Sequence, residues 1–269
     1  MSKNSLFDKY LKLIGVEAAA PSYDLLCKLV KAHLIKIPFE NISKLLFKKQ
    51  GMNKIPDLNT FIEGIEKFNF GGTCYTNNYY FHLLLQHLSF DVKLCGADMK
   101  NPDVHLINIV TINGREFIVD GGYAAPFLIP MPRDLKTDFV INSGDEKYIV
   151  KPVDETGRTK VEHHFDNALQ HWYSAKPRPR KIEEFQKVIE DSYADDATFM
   201  NAVRVVRFNK SVSTSLRNFS ITETNGTDVY TVKINFEELP RVVSEKFGMP
   251  VILVKEALDS IKEIKDIYD

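Results

Sequence analysis

The chain has 269 residues, enough for one large domain or two to three small ones; 44% are hydrophobic and 26% charged, so a sizeable core is expected and disorder is not. The formal net charge of −1 offers no global electrostatic case for nucleic acid or an anionic membrane as a partner. Charges recur through Lys3, Asp8 and Lys9 with no apolar run behind them, so no secretory signal is expected, and the longest apolar runs, such as Met249 to Val254, are too short to span a bilayer.

From Ser5 to about Leu46 apolar residues fall at three- and four-residue steps: Leu6, Tyr10, Leu13, then Leu25, Leu26, Leu29, Val30, Leu34. That spacing predicts two helices, punctuated by Pro21 and Ser22. Pro38 breaks the pattern within Ile37-Pro38-Phe39-Glu40-Asn41-Ile42, because proline disfavours helix at the residue before it. Phe61 to Phe68 reads as a short helix, and Tyr75 to Leu88 as another. After Phe90 β-branched and aromatic runs take over: Val104 to Ile112, Glu116 to Asp120, Asp138 to Ile141, Tyr148 to Val153. They predict an antiparallel sheet or a small barrel. Lys181 to Ser192 and Thr198 to Val206 read as helices. Ser215 to Thr222 and Asp228 to Ile234 read as strands around Asn225-Gly226, and Phe236 to Phe247 as a last helix. Helices, then strands, then mixed elements make the fold class α+β. The one basic run, Lys176-Pro177-Arg178-Pro179-Arg180-Lys181, reads as a solvated linker, with a phosphate contact as the alternative.

The cysteines are three: Cys27, Cys74 and Cys95. An odd, small number is no disulfide framework, and it fits a reducing, cytoplasmic compartment. Cys74 differs from the other two by its setting, Phe70-Gly71-Gly72-Thr73-Cys74. The glycines allow a crowded backbone path. Thr73 stands where an N-cap is expected, which puts Cys74 in the first turn of a helix. The partial positive charge there favours thiolate over thiol. The bland alternative is a cysteine that merely packs at a helix start.

A second segment bears on the same chemistry. Asn113-Gly114 between two apolar runs is a two-residue hairpin signal. With that turn, Ile112 pairs with Arg115, Asp120 falls opposite Ile107, and His105 opposite Gly122. Side chains alternate along a strand, so His105 and Asp120 share a face as diagonal neighbours. A carboxylate that orients an imidazole is what a cysteine nucleophile needs as its third member. The bland readings are a structural histidine and an aspartate that closes a strand. His33, His82, His87, His163, His164 and His171 show no comparable partner in the sequence, and none of their spacings is a zinc pattern. No metal is expected.

At this point the sequence resembles the arylamine N-acetyltransferase family. Pro38-Phe39-Glu40-Asn41 is similar to an early family signature. Phe70-Gly71-Gly72-Thr73-Cys74-Tyr75 resembles the nucleophile motif Arg-Gly-Gly-Phe-Cys-Tyr, and His105 with Val119-Asp120-Gly121-Gly122-Tyr123 resembles the family's His and Val-Asp-Val-Gly-Phe segments. Weaker matches run from Asp196-Ala197-Thr198-Phe199 to Arg207 and over Glu245-Lys246-Phe247-Gly248. The resemblance implies a transglutaminase-like cysteine enzyme core in three parts: an N-terminal helical domain (1–90) carrying the nucleophile, an antiparallel β-barrel (91–192) carrying His105 and Asp120, and a C-terminal α/β lid (193–269). It implies a ping-pong reaction in which Cys74 takes the acetyl group of acetyl-CoA, with His105 moving protons and Asp120 holding the ring. The acetyl group then passes to a small aromatic amine, hydrazine or hydroxylamine. Phe39 and Tyr123 match positions that line the family's acceptor pocket. No local motif marks the CoA-contacting residues, and the oligomeric state has no signal in the sequence.

The chain departs from the pattern at named places. Phe70 stands where the family has arginine, so Glu40 loses the ion pair usual there, and Thr73 replaces phenylalanine beside the nucleophile. Two other readings use the same residues. One is a transglutaminase-like amidase or cysteine hydrolase that passes the acyl group to water. The other is a catalytically weak relative that binds CoA or an aromatic ligand.

Overall fold

The computed structural model describes residues 3–209 and 212–265. The N-terminal third is helical: α1 (Lys3–Ile14), α2 (Tyr23–Lys36), a two-residue strand β1 (Phe39–Glu40), then α3 (Ile42–Lys49), α4 (Leu58–Phe68) and α5 (Cys74–His87). The punctuation read from the sequence holds. The Ser22 hydroxyl accepts from the Leu25 N–H at 3.1 Å and starts α2. Asp57 does the same for α4 through the Thr60 N–H at 2.8 Å. The break at Pro38 is where the chain leaves helix to form β1.

The middle of the chain supplies β2 (Asp91–Asp98), β3 (His105–Ile112), β4 (Arg115–Val119), β5 (Met131–Pro132), β6 (Phe139–Ser143), β7 (Glu146–Val150), β8 (Thr159–Phe165) and β9 (Ala168–Pro179). They make one antiparallel eight-stranded sheet in the order β5-β4-β3-β2-β9-β8-β7-β6, curved into a nearly closed, barrel-like wall. The expected hairpin is present: Asn113 and Gly114 both take positive φ, 51° and 77°, and Ile112 pairs with Arg115. Beyond β9 come α6 (Gln186–Asp191), β10 (Arg204–Phe208), β11 (Val212–Arg217), β12 (Ser220–Asn225), β13 (Asp228–Lys233), α7 (Leu239–Phe247) and α8 (Val251–Leu258). The second sheet runs β1-β10-β11-β12-β13. It therefore joins a strand from the start of the chain to four from its end.

Several expectations need correction. Thr198 to Val206 is not a helix. A short turn covers Thr198–Met200, and Arg204 onward is β10, because β1 and β11 offer hydrogen-bonding edges on both sides. Ser215 to Thr222 is two strands, with Asn218 turning the chain at φ 48°. The helix expected from Phe236 starts at Leu239, and it is not the last, since α8 follows it. Asn235 and Glu238 hold each other's backbone N–H groups at 3.0 Å ahead of it, a reciprocal cap. The basic run is no free linker. Lys176 lies in β9 and pairs with Asp98 and Asp103 at 2.7 and 2.6 Å, and Arg180 pairs with Asp103 and Glu184.

Two apolar clusters form the core. One joins α1, α2, α4 and α5 to the inner face of the barrel-like sheet. The other gathers Ile42, Leu45, Phe70, Cys74 and Tyr75 with Ile189, Tyr193, the second sheet, α7 and α8. Cys74 lies within the second cluster.

Candidate active site

Cys74 is the first residue of α5. Thr73 occupies the N-cap position, but its side chain makes no cap bond; the helix start is held by backbone packing instead. A Cβ on Gly71 would lie 2.0 Å from the Pro38 carbonyl oxygen, so the loop before the cysteine lies directly on the segment Pro38-Phe39-Glu40. The Glu40 N–H donates to Gly72 O at 3.1 Å, and the Asn77 amide donates to both Pro38 O and Gly72 O. Those contacts lock the early motif and the nucleophile motif into one unit.

His105 starts β3 and Asp120 follows β4. His105 Nε2 meets Asp120 Oδ2 at 2.8 Å, with both residues 1% exposed. The contact expected from the hairpin is present, although the strand ladder itself ends at Asn108 and Val119. Burial opposes a charge on His105, but the Asp120 carboxylate, and after it Cys74, outweighs burial and carries the imidazole up to about 10. Burial also acts against the Asp120 anion. The charge and hydrogen bond of His105, with the Asn78 amide and the Gly122 N–H, hold Asp120 below the usual carboxylate range. With Nε2 committed to Asp120, Nδ1 is the ring nitrogen left for the cysteine. Cys74, 7% exposed, directs its sulfur toward His105 and the Val104 carbonyl, the latter at 3.9 Å.

One residue that motif reading passed over ties the two halves together. Asn78 lies one turn after Cys74 on the same face of α5. Its amide nitrogen donates to Asp120 Oδ1 at 2.9 Å and to Leu106 O, and its oxygen accepts the Gly121 N–H at 2.8 Å. A polar residue at that spacing on a buried helix was the available signal. Gly122 is the second fixed point. A Cβ there would stand 2.7 Å from the Cys74 Cα, so only glycine lets the hairpin approach Cys74 this closely.

Phe39 pairs with Val206 of β10, bridges to Gly72 and packs edge-on against Phe199 at 5.4 Å. Tyr123 stands T-shaped against His105 at 5.6 Å, and its hydroxyl bonds His171 Nδ1 at 2.6 Å. Glu40, fully buried, finds its partners without arginine: the Ser43 N–H at 2.8 Å, the Ser43 hydroxyl at 2.5 Å and the Gly71 N–H at 3.1 Å. Burial still pushes its carboxyl up. The weaker motif pieces also meet. The Asn41 amide donates to Phe199 O and Ala202 O, and Arg207 donates to Lys246 O at 2.7 Å and to Phe247 O.

The expectation that no other histidine has a partner comparable to Asp120 is corrected at two of them. His163 lies 3.3 Å from Glu146 and His164 lies 3.0 Å from Glu162, because β7 and β8 bring the carboxylates alongside. His82 bonds Asn108 and His33 bonds Tyr10. Burial lowers these last two imidazoles, to about 4 and about 3. Among the described residues no group of three or more His, Cys, Asp or Glu could hold a metal ion, and no helix is long and apolar enough to cross a membrane.

A cysteine at a helix start, facing an imidazole oriented by a buried carboxylate, defines a class of acyl-transferring or acyl-hydrolysing cysteine enzymes. Comparison with known proteins narrows it. The family model described as N-acetyltransferase matches residues 22–256, and the chain belongs to that family, the arylamine N-acetyltransferases. Among curated proteins it is similar to proansamycin X synthase of Amycolatopsis mediterranei (strain S699), 27% identical over 69% of this chain and 73% of the relative. It is also similar to arylamine N-acetyltransferase, pineal gland isozyme NAT-3, of Gallus gallus, 26% identical over 62% of this chain and 64% of the relative. Several further arylamine N-acetyltransferases align over only 46% of their own length. The arylamine N-acetyltransferase structure from Mycobacterium abscessus superposes with a TM-score of 0.79, covering 94% of each chain at 17% identity. That likeness shows the fold. The family resemblance carried by the sequence motifs is borne out.

Proposed function

We propose that the protein is an acetyl-CoA-dependent N-acetyltransferase in which Cys74 carries the acetyl group between donor and acceptor. The observation that bears most weight is the buried His105–Asp120 pair at 2.8 Å beside Cys74. The raised His105 is protonated at neutral pH, and an imidazolium beside the sulfur supplies a nucleophilic thiolate. The thiolate attacks the acetyl-CoA carbonyl. The tetrahedral intermediate leans on the backbone N–H groups of the α5 start. It collapses by expelling the CoA thiolate, which takes the His105 proton and leaves as CoA. The acceptor amine then attacks the acetyl-cysteine, neutral His105 takes its proton, and the Cys74 thiolate leaves, restoring the ion pair. Asp120 holds the ring throughout.

Phe39 and Tyr123 line the acceptor side in this reading, with arylamines, hydrazines and hydroxylamines as acceptors. Tyr123 touching the His105 ring supports that placement. The parts 1–90, 91–192 and 193–269 serve as helical domain, barrel and lid on a transglutaminase-like core. The element order supports such a division, helices first, the eight-stranded sheet next and the strands and helices after β9 last, although β1 and both apolar clusters cross it. Three cysteines without a disulfide fit a reducing cytoplasm.

The test is intact mass after incubation with acetyl-CoA and no acceptor. One acetyl adduct is expected, lost in Cys74→Ala. Intact acetyl-CoA and unmodified protein would overturn the proposal, and steady CoA release without an adduct would favour transfer to water.

A further inference from the structure

Beside His105 the inner face of the barrel-like sheet turns polar. Ala175 and Tyr173 of β9 are fully buried, and His171 continues the same face at the next two-residue step, half-buried. Tyr123 reaches this face from the loop after β4. Its ring stands T-shaped to His105 at 5.6 Å, and its hydroxyl meets His171 Nδ1 at 2.6 Å. Phe127 stacks parallel to that ring at 5.7 Å and Tyr173 meets it edge-on at 5.0 Å, which holds it in one orientation. His163, opposite His171 on β8, turns to Glu146 at 3.3 Å instead. His171 has no part in the steps above.

A neutral imidazole has one donor and one acceptor nitrogen, and a phenol has one proton to give. With Nδ1 accepting from Tyr123, the proton of the His171 ring is on Nε2. Burial keeps that ring neutral, lowered to about 4. Among the described residues no oxygen takes the Nε2–H, and unlike His33 Nε2 it is not sealed from solvent. A reachable donor is therefore fixed close to His105.

Tyr123 sets the spacing. Its ring lies against His105 and its hydroxyl against His171, so a single phenol bridges the two imidazoles. An aromatic amine whose nitrogen faces Cys74 and His105, and whose ring follows Tyr123, brings the substituent opposite its nitrogen to His171. A substituent that accepts a hydrogen bond replaces the water lost there, whereas a hydrocarbon one leaves the N–H unpaired.

We propose that His171, held by Tyr123, is a specificity-determining residue: its Nε2–H selects aromatic amines that carry a hydrogen-bond-accepting oxygen opposite the amine over those that carry a hydrocarbon group. This rests on the acetyl-transfer reading above and on Tyr123 lining the acceptor side.

The test measures kcat/KM on the full chain at saturating acetyl-CoA, by CoA release, for two acceptors of equal shape, para-aminobenzyl alcohol and para-ethylaniline. The ratio of alcohol to hydrocarbon should fall about fivefold in His171→Phe and recover in His171→Gln, whose amide keeps an N–H. A merely structural role would lower both values together and leave the ratio alone. His171→Met gives the same reading if the phenylalanine variant does not fold. An unchanged ratio in a folded variant overturns the proposal, as does an acetylated Cys74 that passes its group to neither amine. A wild type that forms no acetyl adduct on Cys74 would instead remove the acetyl-transfer reading, and the proposal with it.

Discussion

Replacing Asp120 by asparagine removes one charge and almost no volume, and the surroundings dictate how the new amide must turn. Oδ1 of Asp120 accepts from the Asn78 amide at 2.9 Å and the Gly122 N–H at 3.0 Å, while Oδ2 accepts from His105 Nε2 at 2.8 Å. The amide oxygen has to take the side with two donors, so its NH2 faces His105. Two N–H groups then point at each other unless Nε2 gives up its proton. The ring is thereby driven to the tautomer with hydrogen on Nδ1, the nitrogen that should accept from Cys74 or the amine. The loss of charge acts in the same direction. His33 and His82, buried without a carboxylate, are lowered to about 3 and about 4, against about 10 for His105. That contrast is several kcal/mol of preference for the imidazolium, at about 1.4 kcal/mol per pH unit. In a serine-protease triad the same exchange lowers kcat about 10⁴-fold, and Asp120→Asn should slow single-turnover acetylation of Cys74 by about 10³- to 10⁴-fold. Rapid-quench intact mass reads the rate, and circular dichroism checks the fold. Acetylation at the wild-type rate in a folded variant would refute the reasoning.

Gly122→Ala places a Cβ 2.7 Å from the Cys74 Cα and 2.8 Å from the Asn78 amide nitrogen. The first of these is backbone, so an overpacking cost of about 1–3 kcal/mol should appear as a lower melting temperature together with impaired acetylation; an unchanged melting temperature would mean that the hairpin and α5 are not this close. His33 makes stability depend on pH. Its folded value of about 3 lies below the 6.5 of the free side chain, so the unfolded chain binds the proton first, and the contribution, complete above pH 6.5, is lost as pH falls toward 3. Between pH 7 and pH 5 that loss is about 2 kcal/mol. Urea unfolding should show the wild type losing about 2 kcal/mol more than His33→Phe over this interval, and equal losses would show that the folded imidazole takes up its proton freely.

The parts of the site that were legible in the sequence are those that local rules decide. A two-residue turn sets the register of its hairpin, and a period of two sets the face, so His105 and Asp120 could be placed together from Asn113-Gly114 alone. Glycines, a threonine and a helical period after Cys74 located the helix start, though not its cap, since Thr73 makes no bond there. The helices up to Leu88 followed from spacing because each buries one stripe. Thr198 to Val206 misled because its apolar spacing suits a helix as well as a strand, and only the edges of β1 and β11 decide between them. The basic run read as a linker because its partners Asp98 and Asp103 lie far away in the chain and are brought beside it only by the folded sheet.

For this protein the sequence by itself determined the family, the candidates Cys74, His105 and Asp120 for the proposed chemistry, and the hairpin that joins two of them. Each rests on residue type and short-range geometry. Only the tertiary structure decided what surrounds them: that Asn78 fastens the helix of Cys74 to the hairpin, that Glu40 does without arginine by taking donors from Ser43 and Gly71, and that Lys44 is buried against Ser192 and Tyr193. Those contacts join segments far apart in the chain, and which of them form depends on how α3, α5, β1 and the strands after β9 pack together, a choice that no local pattern encodes.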